Sequence, residues 1–216
     1  MSGPLYRASA AVYDVLGPTA CFLLACLPFA LAIVVAPSAV TIAVAGILIG
    51  PAWTALLYAT SVLRSDRDRG PVRSFWRGYR LNWRQTCMVW VPYWLLLVVA
   101  GADVVTPTTP TVLRWGVGIV AALSMVWMSA ALLLISRYSF RTRDVLRLGL
   151  YVVVVAPRST TTNLALLVLA GATVYFTSES VLGLLAGVFA FASVTAARGA
   201  FDLVDARFTV GRDASR

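Results

Sequence analysis

Lysine and histidine are absent, so all 18 basic residues are arginine. A GC-rich genome is the ordinary cause of such a bias, and the chemical consequence is the same whatever the cause. Without lysine there is no amine for a Schiff base. Without histidine there is no imidazole to act as an acid–base catalyst or metal ligand. Charge of any kind is scarce: 12% of the 216 residues are charged and 60% are hydrophobic. A soluble domain carries about 25% charged residues, and a chain this apolar would present large sticky patches to water. Lipid is therefore the expected solvent for most of it, in one compact bundle.

Other absences narrow the chemistry further. The three cysteines are Cys21, Cys26 and Cys87. Cys21 and Cys26 are five apart in an apolar run, and helical geometry turns them away from each other, which argues against a disulfide. Buried reduced thiols are the expected state. There is no G-x-x-x-x-G-K-[ST] phosphate loop, no H-E-x-x-H and no G-x-S-x-G. The carboxylate pairs Asp66/Asp68 and Asp202/Asp205 sit among arginines, where surface ion pairs are expected. Neither catalysis nor a metal or cofactor is expected. The start, Met1 to Asp14, does not read as a cleaved signal, because the apolar run after it is too long and a second follows at once.

What is present is a set of long apolar runs. A hydrocarbon core about 30 Å thick needs roughly 20 residues of helix, and six runs come near that length: Val15–Ala36, Ser38–Leu63, Thr86–Ala102, Val112–Ser136, Thr161–Thr177 and Ser180–Ala197. Arg7, the arginines from Arg64 to Arg84, those from Arg137 to Arg158 and those from Arg198 onward fall on one side of a six-span arrangement. Only Arg114 falls on the other. Loops rich in arginine stay in the cytoplasm, so both termini and both long loops are expected there. The fold class expected is an all-α membrane protein of about six transmembrane helices. Residues 1–200 would form one transmembrane domain with cytoplasmic amphipathic segments at about 71–85 and 143–158, and residues 201–216 a cytoplasmic tail.

Within the first of those segments, arginines alternate with large aromatics. At about 100° per residue, Arg73, Arg77, Arg80 and Arg84 share one narrow arc, and Trp76, Tyr79 and Trp83 form a stripe beside it. Such a helix suits the headgroup layer, with rings at the apolar boundary and guanidinium groups at phosphates. Pro71 sits where a helix begins. The expectation is a helix lying along the membrane and turning upward at about Gln85. The same surface is a candidate for docking a protein partner. Nucleic acid is the weaker alternative, since no RNP, helix-turn-helix or zinc pattern accompanies the basic residues. In the second segment, Asp144 to Ala156 has about 12 apolar residues, too short to span. It reads as interfacial or re-entrant and ends before Pro157. Ser159, Thr160 and neighbouring threonines are expected to cap the fifth span.

Inside the second run, Gly46 and Gly50 form a small-xxx-small pair that permits close helix approach. Pro51 cannot bond the carbonyl of Ile47, so a kink is expected there, with Thr54 re-satisfying the freed group. Pro28 and Pro92 interrupt the first and third runs, and three kinked helices together would line a cavity. A second pair, Gly183 and Gly187, is expected to face the bundle interior. Proton and ion relays need a charge deep in the membrane, and the runs place none between the interfaces. An ion-coupled pump is therefore not expected.

Leu27-Pro28, the stretch Ile49 to Tyr58 and the block Ser74 to Thr86 resemble the L-P, G-P-A-x-x-A-L-Y and F-F-x-x-F-x-x-N-x-x-Q-S/T segments of the YesL-like family of bacterial integral membrane proteins. The first F-F is Phe75-Trp76 here, and the spacing fits over about Tyr6 to Trp94. The resemblance implies a multi-pass protein of the bacterial inner (plasma) membrane, of undetermined function. Genes of the family often adjoin carbohydrate-uptake ABC transporters and glycoside hydrolases. It draws attention to Gly50, Pro51, Phe75 and Asn82 and implies no catalytic residue. The function expected is a non-enzymatic accessory or regulatory partner of a sugar ABC transporter permease. The alternative is an autonomous solute carrier or channel with a cavity near Gly50–Pro51. Expected partners are the lipid bilayer, such a permease and a second copy of the chain.

Overall fold

The computed structural model describes residues 4–36, 38–65, 70–105, 110–138, 140–177 and 179–204. Among these residues there is helix and no strand. The order is α1 (Pro4–Val35), α2 (Ala39–Ala45), a 3₁₀ turn (Gly46–Leu48), α3 (Ile49–Ser65), α4 (Pro71–Val105), α5 (Thr111–Arg137), α6 (Thr142–Val155), α7 (Pro157–Phe176), α8 (Glu179–Ala196) and α9 (Arg198–Val204). Asp66, Asp68, Asp205 and the tail from residue 205 lie outside the described residues.

Five helical stretches are long and apolar enough to cross a membrane: Tyr13–Val35, Val40–Leu63, Pro71–Val104, Thr111–Arg137 and Pro157–Phe176. A shorter apolar helix, Val181–Ala196, makes the sixth leg. The chain is thus an all-α membrane bundle. Successive legs run antiparallel. Trp94 of α4 meets Ala43 near one end of the α2–α3 leg, while Gly78 meets Tyr58 near the other. Tyr93 meets Ser124 of α5, 3.3 Å apart. This alternation gathers the arginine-bearing ends at one end of the molecule.

Helix α3 is the axis. Ala52, Ala55, Leu56, Leu57 and Ala59 have no exposed surface. Alanines placed among larger side chains let α1, α4, α5 and α8 approach it together. Because lipid tails are as apolar as leucine, this association rests on close packing. Gly183 and Gly187 of α8 face α1, as expected. A Cβ on Gly187 would lie 2.0 Å from Thr19 Oγ1, and one on Gly183 2.9 Å from Leu23 Cδ2. The three cysteines are free.

Packing is uneven along the bundle. In α5, every residue from Ala130 to Ser136 is buried, whereas Val112, Trp115, Ile119, Val120 and Leu123 near its start are each more than half exposed. The buried end is the arginine-rich end. Exposed apolar side chains dominate the other, as a lipid-facing surface requires.

Three local expectations are corrected. The second run does not bend at Pro51: it breaks one turn earlier, at the 3₁₀ turn Gly46–Leu48, and Thr54 Oγ1 donates to the Gly50 carbonyl at 3.1 Å. No break separates residues 71–85 from the third span, because α4 is one 35-residue helix. The threonines at the start of α7 do not cap it. Thr161 and Thr162 donate back to Pro157 and Arg158, and Thr160 donates to Val153 of α6 at 2.9 Å. The preceding Ala156 has no side chain able to cap, and α7 begins at Pro157, a favoured first position.

Candidate functional site: the two faces of helix α4

Helix α4 is the element on which the sequence features converge. Its 35 residues make a rod of about 52 Å at 1.5 Å per residue. From Arg84 to Asp103 the rise is about 28 Å, close to the hydrocarbon thickness of about 30 Å. Arg84 and Asp103 therefore mark natural edges of the apolar layer. Arg73 lies about 16 Å beyond Arg84. A headgroup layer is about 5–8 Å deep on each side. In an upright α4 the arginines form a ladder that climbs out of the membrane instead of lying along it.

The outer face of this ladder is open. Arg73, Arg77, Arg80 and Arg84 are all exposed, and none has a hydrogen bond or ion pair to another described residue. Beside them Trp76 and Trp83 are 39% and 48% exposed. Tyr79 departs from the expected stripe: it is partly buried against the core and stands 5.7 Å from the Trp76 ring.

The inner face locks the helix to the bundle. Phe75 is completely buried. Gly78 is a seat for Tyr58, since a Cβ there would fall 2.5 Å from that ring. Gln85 Nε2 donates to the Phe140 carbonyl at 2.7 Å, tying α4 to the segment before α6. Asn82 is half-buried. Asn82 Nδ2, Ser74 Oγ and Thr86 Oγ1 are buried without a hydrogen-bond partner. Each such group costs about 1–3 kcal/mol of desolvation, so apart from the Gln85 bond this inner face is held by shape.

Higher on α4 sits a device that the sequence reading missed. Trp90 Nε1 donates to the Gly46 carbonyl at 3.0 Å, and Trp94 Nε1 to the Ala43 carbonyl at 3.1 Å. The two indoles stack with centroids 5.8 Å apart. A Cβ on Gly46 would lie 2.2 Å from Trp94, and one on Gly50 2.3 Å from Trp90. The glycine pair is thus a pair of seats for indoles, and the rings supply donors to carbonyls at the broken helix. The signal was available: Gly46 and Gly50 are four apart on one leg, and Trp90 and Trp94 are four apart on the next.

The proline positions do not converge. Pro51 is buried, whereas Pro28 and Pro92 are exposed on the outside of continuous helices. The space beside Gly50 and Pro51, the candidate cavity, holds the Trp90 ring. Among the described residues no cluster of three or more His, Cys, Asp or Glu could hold a metal.

Residues 22–104 match the model of a family described as "Protein of unknown function, DUF624". The matched segment runs from the middle of α1 to the end of α4, so it contains the indole seats and the whole of the ladder. No curated protein and no solved structure matches the chain.

Proposed function

We propose that this chain is a non-enzymatic accessory protein of a membrane transport assembly, docking its partner through the arginine ladder of α4. The observation that carries the proposal is the contrast between the two faces of one helix. Phe75, Gly78 and Gln85 fix it to the bundle, while four arginines and two tryptophans stay open. Arginine and tryptophan are the residue types that dominate binding hot spots, and a helix fixed in advance loses little freedom on binding. The partner surface that fits is acidic with an apolar margin. Orientation follows from arginine bias, which favours the ladder in the cytoplasm. The resemblance to the YesL-like family supports a bacterial inner membrane and the permease of a carbohydrate ABC transporter as partner.

The test is a tagged pull-down in mild detergent from cells grown on several sugars. A permease recovered in near-equal amount, and lost in the Arg77→Glu/Arg80→Glu variant, is the expected result. Unchanged binding and uptake in that variant would sink the docking surface. The autonomous-carrier reading ranks second, because a path beside Gly50 and Pro51 needs the Trp90 ring to leave its seat. Solute flux into liposomes holding this protein alone would reverse the ranking.

A further inference from the structure

The open face of α4 follows a heptad. Arg73, Arg77, Arg80 and Arg84 are spaced four, three and four, and Trp76 and Trp83 are seven apart. At about 100° per residue the arginines fill an arc of about 60°, with the two tryptophans on one flank and Leu81 on the other. Leu81 is 61% exposed, so the charged row has an apolar margin on both sides. A seven-residue repeat keeps such a row straight along the helix, and it is the period that a second helix matches.

The length of the row argues against lipid headgroups as its occupant. Arg80 stands about 6 Å beyond Arg84, Arg77 about 10 Å and Arg73 about 16 Å, and the headgroup layer is about 5–8 Å deep. Phosphates in the bilayer therefore reach the two lower arginines and leave Arg73 and Arg77 in water. A second copy of the chain is no better suited. The formal net charge is +9, and an identical row would repel this one. The first turn of α4 holds Arg73 and no acidic residue, so the arginine adds to the positive end of the helix dipole instead of offsetting it. These observations together favour a partner rich in carboxylates that extends well past the headgroups.

We propose that the ladder binds a single acidic α-helix, which lies alongside α4 and repeats its carboxylates every three and four residues. This deepens the docking reading given above and rests on it. Guanidinium and carboxylate groups pair along the seam, and bidentate forks set the register. Trp76 and Trp83 cover apolar side chains on one flank of the partner helix, and Leu81 covers them on the other. Matching the row of about 16 Å takes about 12 residues of helix.

The test uses the full-length protein in nanodiscs of dioleoyl-phosphatidylcholine and two fluorescent peptides of about 18 residues. The peptides have equal composition, and a hydrocarbon staple makes both helical. One carries its glutamates on a single face in the spacing of the ladder; its isomer spreads the same glutamates around the helix. An exposed ion pair is worth about twofold in binding. The isomer, able to make one pair, should therefore bind about eightfold more weakly, and Arg77→Gln/Arg80→Gln should weaken the matched peptide about fourfold. Arg143→Gln/Arg147→Gln removes the same charge from the exposed face of α6 and should leave the matched peptide unaffected. Equal binding of the two peptides, no binding of either, or an equal loss in the α6 variant would overturn the acidic helix. Discs that contain phosphatidylglycerol should change matched binding by no more than about twofold; its abolition there would assign the ladder to lipid headgroups. Recovery of a permease in the pull-down together with equal peptide binding would keep the docking surface and reject the helix. Register-selective peptide binding with no permease recovered would keep the helix and reject the transport assembly.

Discussion

Gly50 is the position where one methyl group tests how α2, α3 and α4 are held together. An alanine Cβ would stand 2.3 Å from Trp90 Cγ, far inside the 3.5–4.0 Å of ordinary carbon contact. The ring has to retreat by more than about 1 Å. It is held there by its 3.0 Å bond to the Gly46 carbonyl and by its stack on Trp94. Overpacking costs about 1–3 kcal/mol, and the lost interhelical hydrogen bond adds about 0.6 kcal/mol in a membrane. Against this, alanine gains about 1 kcal/mol over glycine in a helix. The net expectation for Gly50→Ala is a destabilisation of about 2 kcal/mol, by difference. In a Trp90→Ala background the methyl meets no ring, and the same change should stabilise by up to about 1 kcal/mol. The coupling in the double-mutant cycle is therefore about 3 kcal/mol. Reversible unfolding in mixed detergent micelles, followed by far-UV circular dichroism, measures all four proteins. Effects that add to within about 0.5 kcal/mol would refute the view that Gly50 exists to seat Trp90.

Other consequences are open to direct measurement. Gly187→Leu should destabilise by about 1–3 kcal/mol by driving α8 from Thr19, and in-membrane unfolding that matches wild type would remove α1–α8 packing as the reason for this glycine. Thr86→Val and Ser74→Ala should be neutral or stabilising by up to about 1 kcal/mol, because each removes a buried hydroxyl oxygen without a partner; a loss of more than that would mean the hydroxyl has a partner in the membrane. In a cysteine-free background, Arg77→Cys and Val112→Cys should label with an impermeant maleimide from opposite sides, Arg77→Cys from the cytoplasm. Labelling from one side for both would overthrow the six-leg topology.

The architecture was legible wherever hydropathy alone decides it. Run lengths near 20 residues located five of the legs to within a few residues, but the third helix begins at Pro71 and not at Thr86, and Pro157 marked the break between α6 and α7. Local reasoning failed where the answer lay on a neighbouring helix. Gly46 and Gly50 were read as a helix-contact pair, yet their partners are the indoles of Trp90 and Trp94, more than 40 residues away in sequence. The break was placed at Pro51 because proline lacks a donor, but indole donors to the Ala43 and Gly46 carbonyls favour it a turn earlier. The bend assigned at Gln85 presumed that polar and apolar halves of α4 need different directions. Phe75 is buried in the core and Gly78 seats Tyr58 of α3, so the polar half is fixed to the bundle and the helix stays whole. For the site, periodicity found the arginine arc; it had no means of showing that Tyr79 turns inward while Trp76 and Trp83 stay out.

The uneven packing of α5 sets how the protein meets membranes of different thickness. Its last turns are clamped on all sides, whereas its first turns touch neighbours along one narrow stripe. A helix splayed at one end tilts there at small cost, and tilt is the ordinary response to a bilayer that does not match a hydrophobic stretch, at fractions of a kcal/mol per Å. We expect a thin bilayer to be accommodated by leaning the loosely packed ends of α5 and α7 while the clamped base keeps its geometry. Amide hydrogen exchange in lipids of graded chain length should then change near Trp115 and stay constant near Leu134; a uniform change along α5 would show that the helix responds as one rigid rod.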